Sequence, residues 1–202
     1  MSRELRRADL DPDPFRQFSR WYEEAQAADP DAADAVALAT AARDGRPSVR
    51  MVLFKGIRDS GLVFYTNYES RKGRELLANP HAALAFYWPS HRRQVRATGA
   101  VSRVSAEDSD RYYAGRPREA QVAAWASRQS EVIPNRAWLE ERYAGLDAEF
   151  QGREVPRPPW WGGMRLEPDA FEFWCNRPDR LHDRFRYARG PDGDWGIDRL
   201  SP

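Results

Sequence analysis

Ala35-Val36-Ala37-Leu38-Ala39-Thr40-Ala41-Ala42-Arg43-Asp44-Gly45-Arg46-Pro47-Ser48-Val49-Arg50-Met51-Val52-Leu53-Phe54-Lys55 places two strand-like runs on either side of an Asp-Gly turn. Ala35–Ala42 reads as one strand and Ser48–Lys55 as its return, because Asp-Gly tolerates the left-handed backbone that a tight hairpin requires. The chain therefore begins its sheet antiparallel. A second turn at Asp59-Ser60-Gly61 leads into the apolar run Leu62–Thr66, and further strands are expected at Ala82–Trp88 and Arg93–Ser105. After a helical stretch, strands are expected near Met164 and at Phe171–Cys175, Leu181–Ala188 and Trp195–Arg199. Hairpin-linked strands with few helices between them point to a mainly β, α+β chain built on an antiparallel barrel rather than to a parallel α/β sheet.

Helices flank this sheet. Asp13-Pro14 reads as an N-cap with proline in the first turn, and Phe15, Phe18, Tyr22 and Ala25 give an apolar stripe to about Ala28. Ser70–Ala78 reads as a short helix stopped by Asn79-Pro80, and Ser105-Ala106-Glu107-Asp108 opens another that runs through Tyr113. Arg118–Ala126 and Asn135–Phe150 complete a helical insertion over about 106–150, ahead of the proline-rich link Pro156–Pro159. With no repeat or long linker, residues 1–202 are expected to form a single domain.

Composition restricts the function classes. The net charge is +1, which does not favour nucleic acid or an anionic membrane as partner. No apolar run is long enough to span a bilayer, and Met1-Ser2-Arg3-Glu4-Leu5 lacks the apolar centre of a signal peptide. Cys175 is the single cysteine, which excludes an internal disulfide framework and suits a reducing cytoplasm. Eight tryptophans call for a large core or an extensive subunit interface.

Four segments carry candidate chemistry. Arg180, His182 and Arg184 recur at every second position, so on a strand they would share one face. Such a face suits a phosphate or carboxylate ligand, and equally it is an ordinary solvated surface. Arg71 and Lys72 stand in the first turn of a helix, where cations oppose the dipole unless an anion shares the site or both point into water. Arg50 and Lys55 lie five positions apart and so face opposite sides of a regular strand. They can serve one ligand only at a bulge or where the ligand wraps a strand edge, and a lysine snorkelling to water from a strand end accounts for Lys55 more simply. Finally, Pro117 disfavours a helical Arg116, which places this arginine just past the helix of Tyr112 and Tyr113, where it either meets a ligand from a loop or caps the last helix carbonyls.

Taken in order, these segments resemble the pyridoxamine 5'-phosphate oxidase family of flavin enzymes. The matching segments begin with Arg50-Met-Val-Leu-Phe-Lys55, Val63-Phe-Tyr-Thr-Asn67, Ser70-Arg-Lys72 and Arg93-Gln-Val95. They continue with Tyr112, Arg116-Pro-Arg118, Gln121, Ala124-Trp125, Ser127 and Gln129-Ser130. Trp161-Gly-Gly163, Glu172-Phe-Trp174, Arg180-Leu-His-Asp-Arg184 and Asp198-Arg-Leu-Ser-Pro202 close the series, so the likeness extends from about Leu5 to the end.

The resemblance implies a split, Greek-key-like FMN-binding barrel acting as a homodimer with FMN at the subunit interface. It implies that Arg50, Arg71 and Lys72 hold the FMN phosphate, while Tyr65, Thr66, Gln94, Gln129, Ser130, Trp174 and Arg184, with Lys55 beside them, line the rest of the cofactor. Lys55, Tyr112 and Arg116 correspond to the substrate-phosphate pocket. Arg180 and His182 correspond to catalytic groups over the pyridine ring, with Arg180 holding the ring against the flavin and His182 bonding its polar edge. The implied reaction oxidises pyridoxine or pyridoxamine 5'-phosphate to pyridoxal 5'-phosphate with O2 as acceptor, and no metal, nucleic acid or membrane takes part. Two other readings stand beside it: a phenazine-pathway oxidase of the same fold, and a non-catalytic carrier of flavin or pyridoxal phosphate.

Three departures from the family pattern bear on the substrate. Ala120 replaces a frequent serine in the phosphate pocket, and Cys175-Asn176-Arg177-Pro178 replaces a glycine-containing turn. The arginine- and tyrosine-containing lid found at the N-terminus of relatives is expected to be absent, or supplied by Arg3–Arg7.

Overall fold

The Asp-Gly turn closes the expected hairpin, with Gly45 at φ +82° and the Ala42 N–H donating to the Arg46 carbonyl at 3.1 Å. The coordinates, a computed structural model, describe residues 4–202; Arg3 lies outside them, so the expected lid segment is described only from Glu4 onward. Strand β1 (Ala35–Ala41) pairs with β2 (Pro47–Arg58), which turns through Asp59 and Ser60 into β3 (Gly61–Asn67). Both turn residues are left-handed, φ 47° and 55°, as a two-residue type I′ turn demands. Strand β4 (His81–Trp88) returns beside β1, which gives the order β3-β2-β1-β4 of a Greek key. Strand β5 (Arg93–Arg103) follows, then β6 (Trp161–Cys175), whose first half pairs back onto β3 and closes a six-stranded barrel. Strands β7 (Asp183–Arg189) and β8 (Trp195–Arg199) extend the sheet from β6.

Helix α1 (Pro14–Ala28) starts where its cap predicts, with the Asp13 carboxylate accepting the Phe15 N–H at 2.8 Å. Its buried face carries Phe18 and Trp21, so Trp21 joins the apolar stripe read from Phe15, Phe18, Tyr22 and Ala25. Phe18 meets Phe86 edge-on at 4.9 Å and Phe54 at 5.4 Å, while Trp21 meets Phe173 at 5.3 Å. Each of these fully buried aromatic side chains contributes about 2–3 kcal/mol of transfer free energy. After the single turn α2 (Pro30–Ala33), helix α3 (Arg71–Ala78) is capped by Ser70, whose Oγ accepts the Gly73 N–H at 3.3 Å. Helices α4 (Ala106–Ala114), α5 (Arg118–Ala126) and α6 (Arg136–Glu149) build a second, smaller core around Tyr113, Val122, Phe150 and Trp161. No helix among the described residues is long and apolar enough to cross a membrane.

Two elements differ from their sequence reading. The runs near Met164 and Phe171–Cys175 form one fifteen-residue strand, because the pairing with β5 shifts register between Thr98 and Gly99 and so absorbs Pro168. Gly99 permits this close approach, since a Cβ there would lie 1.9 Å from the Glu167 carbonyl oxygen. Strand β7 starts only at Asp183, so Arg180 and His182 precede it and do not share a strand face with Arg184. Arg180 ends a 3-10 turn in which Asp179 and Arg180 have φ of 58° and 64°, and two left-handed residues cannot continue a strand.

One irregularity positions the site. Pro47–Leu53 of β2 pair with β1, whereas pairing to β3 begins at Phe54 and shifts register before Ile57. Among the described residues the first half of β2 is thus an open sheet edge. The outward face beside it is apolar, with Val49, Met51 and Leu53 exposed and Ala35, Ala37 and Ala39 next to them on β1.

Candidate active site

A cavity of about 450 Å³ wraps this open edge and is walled by β2, β3, α3, α4 and α5. Arg50 and Lys55 both line it, so the condition set by their five-residue spacing is met at an edge followed by a bulge. Tyr65, Thr66, Lys72, Tyr112, Arg116, Ala120 and Gln129 line the same cavity. Arg50 and Lys55 are about 16 Å apart along an extended strand, so the cavity carries cations at two separated places.

At one end Arg50 projects beside β1. Its Nη1 donates to Thr40 Oγ1 at 2.6 Å and to the Leu38 carbonyl at 3.2 Å, and its Nη2 lies 3.2 Å from Glu75 Oε2. Glu75 also accepts from Thr40 and Ser48 at 2.5 Å and from Arg71 Nε at 2.9 Å. Although burial opposes its charge, these donors hold the Glu75 carboxyl at a pKa of about 2. Lys72 Nζ donates to Gln129 Oε1 at 2.9 Å and to Ser70 Oγ at 3.1 Å. Burial, with the Arg50 charge nearby, lowers its pKa to about 8. The Arg71 N–H donates to Ser130 Oγ at 3.1 Å, which ties the α5–α6 connection to the start of α3. The Arg71 side chain is mostly exposed and pairs with Glu75 outside the cavity lining.

The other end is aromatic and cationic. Tyr65 and Tyr112 stack at 3.7 Å between centroids, and Trp161 lies nearly parallel to Tyr65 at 5.6 Å. The Arg116 guanidinium sits over Trp161 at 4.6 Å, in the loop between α4 and α5 as expected. Its Nη1 and the Tyr65 hydroxyl are buried without a hydrogen-bond partner, and burial lowers the Arg116 pKa and raises that of Tyr65. Lys55 Nζ donates to Asp34 Oδ2 at 2.9 Å, and Asp34 also accepts the Tyr22 hydroxyl.

The remaining expected residues form a second group. Gln94 on β5, Trp174 on β6 and Arg184 on β7 are register partners on the outward face of the sheet, next to Tyr87 of β4. Arg184 Nε bonds Glu172 Oε1 at 2.9 Å, and the His182 ring lies 4.7 Å from the Trp174 ring. Trp174 is about 26 Å along β6 from Leu166, where pairing with β3 ends. The cavity lining includes none of Gln94, Trp174, Arg180, His182 and Arg184, so one protomer does not bring the two groups together.

Several site residues were not singled out from sequence. Asn67, Ser127 and Trp161 line the cavity, and each falls inside a segment that matched the family without a role assigned to it. The counter-ions Glu75 and Asp34 lie outside those segments, and only tertiary structure places them against Arg50 and Lys55.

Comparison with known proteins agrees with this architecture. A family model described as pyridoxamine 5'-phosphate oxidase matches residues 22–147, and one described as pyridoxine 5'-phosphate oxidase C-terminal dimerisation region matches 161–202. Pyridoxine/pyridoxamine 5'-phosphate oxidase of Burkholderia ambifaria is 54% identical over 200 residues, covering 98% of this chain and 93% of that protein. The protein of the same name from Rubrobacter xylanophilus is 54% identical over 207 residues, covering 100% and 95%. The crystal structure of PhzG from Burkholderia lata in complex with tetrahydrophenazine-1-carboxylic acid superposes with a TM-score of 0.90 at 37% identity, covering 96% of this chain and 95% of that one. A pyridoxamine 5'-phosphate oxidase-related, FMN-binding protein of Nostoc punctiforme shares the fold, with a TM-score of 0.74 at 19% identity over 96% of this chain and 100% of its own. With both family models and full-length relatives in agreement, the chain belongs to the pyridoxamine 5'-phosphate oxidase family.

Proposed function

We propose that this protein is an FMN-dependent oxidase that converts pyridoxine or pyridoxamine 5'-phosphate to pyridoxal 5'-phosphate. The observation that carries this reading is one cavity that brings together four cations, Arg50 next to Lys72 at one place and Lys55 and Arg116 away from them, along an aromatic wall. Two phosphate groups, one on the cofactor and one on the substrate, need such an arrangement.

The residues present fit FMN. Lys72 and Arg50 are close enough for Arg50 to depress the lysine pKa, a repulsion that a phosphate between them would relieve, and the start of α3 adds its dipole. Arg50 and Lys72 hold that phosphate, and Tyr65, Thr66 and Gln129 border the cofactor beyond it; Arg71 and Ser130, expected beside them, stand outside the lining at the start of α3. When bound, FMN supplies the acceptor for a hydride from the substrate's exocyclic carbon and delivers the electrons to O2 as H2O2. The protein binds and orients. Arg116 and Lys55 grip the substrate phosphate, and the unpartnered Arg116 Nη1 is a donor that this phosphate satisfies. Arg180 presses the ring toward the flavin and His182 bonds its polar edge, so orientation lowers the barrier. The alcohol substrate is balanced by O2 in and H2O2 out; the amine also takes up water and releases ammonia.

The separation of the second residue group supports a homodimer, in which Trp174, Arg184, Arg180 and His182 of one protomer complete the cavity of its partner. The apolar outward face carrying Val49, Met51 and Leu53 is the surface such a dimer buries. A phenazine-type oxidase is the second reading, favoured by the likeness to PhzG. The full-length likeness to pyridoxine/pyridoxamine 5'-phosphate oxidases at 54% identity, against 37% for PhzG, weighs against it. Aerobic incubation with each phosphate substrate tests the reading: pyridoxal 5'-phosphate and H2O2 should form in equal amounts, and no product from either would refute it.

A further inference from the structure

We propose that Asp183 is a positioning residue that, through Arg177, fixes His182 as the tautomer protonated at Nε2. The inference deepens the assignment of His182 to the substrate's polar edge and rests on it.

A neutral imidazole carries one donor and one acceptor nitrogen, and the bond made by one fixes the role of the other. Here the Arg177 N–H donates to His182 Nδ1 at 3.2 Å, so the proton sits on Nε2. The ring is steadied from a second side by Trp174 at 4.7 Å. His182 therefore offers a hydrogen-bond donor to a ligand.

The loop that makes this bond does not hold its shape through local preference. Asp179 and Arg180 are both left-handed, φ 58° and 64°, a conformation that non-glycine residues avoid. The Leu181 N–H donates to the Pro178 carbonyl at 3.2 Å and the His182 N–H to the Arg180 carbonyl at 2.9 Å, and anchors at the base of the loop add to these bonds. Asp183 is placed to do so, because it pairs with Cys175 in the β6–β7 register and closes the loop at its base. Its carboxylate is almost fully buried at 3% exposure. It accepts the Leu5 N–H at 3.1 Å, bonds Arg199 Nη2, and lies 3.5 Å from Arg177 Nε. Arg177 is thus held at both ends, by its side chain on Asp183 and by its N–H on His182. One buried carboxylate ties together the N-terminal segment, the last strand and the turn before His182.

The test uses the full chain labelled with 15N-histidine, in which His182 is identified among the three histidines by its loss in His182→Gln. Long-range 1H–15N spectra, at a pH where the ring is neutral, report which nitrogen is protonated. The wild type should show a single Nε2–H form. Asp183→Asn should convert it to a mixture of tautomers and lower kcat/KM roughly tenfold, the loss of about one hydrogen bond. If Asp183→Asn does not fold, Arg177→Gln removes the guanidinium that meets Asp183, keeps the backbone N–H, and should produce the same mixture. An Nδ1–H form in the wild type, or an unchanged spectrum in a folded variant, would overturn the proposal. Because the spectra need neither cofactor nor substrate, a wild type with the expected tautomer that fails to oxidise pyridoxine 5'-phosphate would count against the substrate reading alone.

Discussion

Lys72 and Arg50 converge on one end of the cavity from different elements, and burial together with the Arg50 charge brings the Lys72 pKa down to about 8. A phosphate bound there favours the charged lysine. The folded protein without ligand loses that charge as pH rises through about 8, so FMN affinity should be flat below this value and fall above it. Fluorescence titration of FMN between pH 6.5 and 10 checks this (the range follows from an ordinary lysine pKa). Lys72→Met should bind FMN some 10–100-fold more weakly and lose the pH dependence, the size expected for one charge-assisted bond.

Glu75 holds the opposite sign in the same place. Its folded pKa of about 2 lies below the ordinary carboxylate value, so its ionised form stabilises the fold at neutral pH. That contribution is lost as pH falls from about 4.5 toward 2. Glu75→Gln leaves Arg50 without its buried partner and should cost about 3 kcal/mol in urea unfolding at pH 7. The difference from wild type should shrink as the pH is lowered.

Ala120 lines the cavity at a position where the family resemblance leads to the expectation of serine. Restoring the hydroxyl in Ala120→Ser adds one donor to a charged phosphate, worth about 1 kcal/mol. KM for pyridoxine 5'-phosphate should drop about fivefold with kcat unchanged, and an unchanged KM would place the phosphate elsewhere.

Met51 is 62% exposed on the apolar outward face of β2. Met51→Arg puts a charge into the proposed subunit contact. Sedimentation should then show monomers; because Met51 also lines the cavity, FMN affinity should fall on both counts, and the sedimentation result is the one that reads the interface.

Arg180 is the residue whose role depends most on loop geometry. Arg180→Leu should cut turnover by at least tenfold while FMN content stays at the wild-type level, a split that separates ring orientation from cofactor binding. An unchanged rate would remove Arg180 from the site.

Local chemistry made much of the fold legible. The Asp44-Gly45 hairpin, the Asp13 cap and the helix starting at Ser70 follow from turn and cap residues acting within a few positions, whereas the Greek-key return of β4 beside β1 is implied only by the family resemblance. What alternation could not reach lay where the backbone breaks its period. Arg180 and His182 looked like strand neighbours of Arg184, but two left-handed residues end that pattern before β7 starts. The runs near Met164 and at Phe171–Cys175 looked like separate strands, and a register shift opposite Thr98 and Gly99 joins them through Pro168. Arg50 and Lys55 could share a ligand only at an edge or bulge, which β2 has, and their counter-ions Glu75 and Asp34 come from distant elements that no spacing rule connects.

The central claim is that this cavity holds a flavin that accepts electrons from a phosphorylated B6 vitamer. The most direct test is an absorbance spectrum of the FMN-loaded protein during anaerobic addition of pyridoxine 5'-phosphate. The flavin band should bleach on addition and return when air is admitted. A flavin band that persists with both pyridoxine and pyridoxamine 5'-phosphate would contradict the assignment.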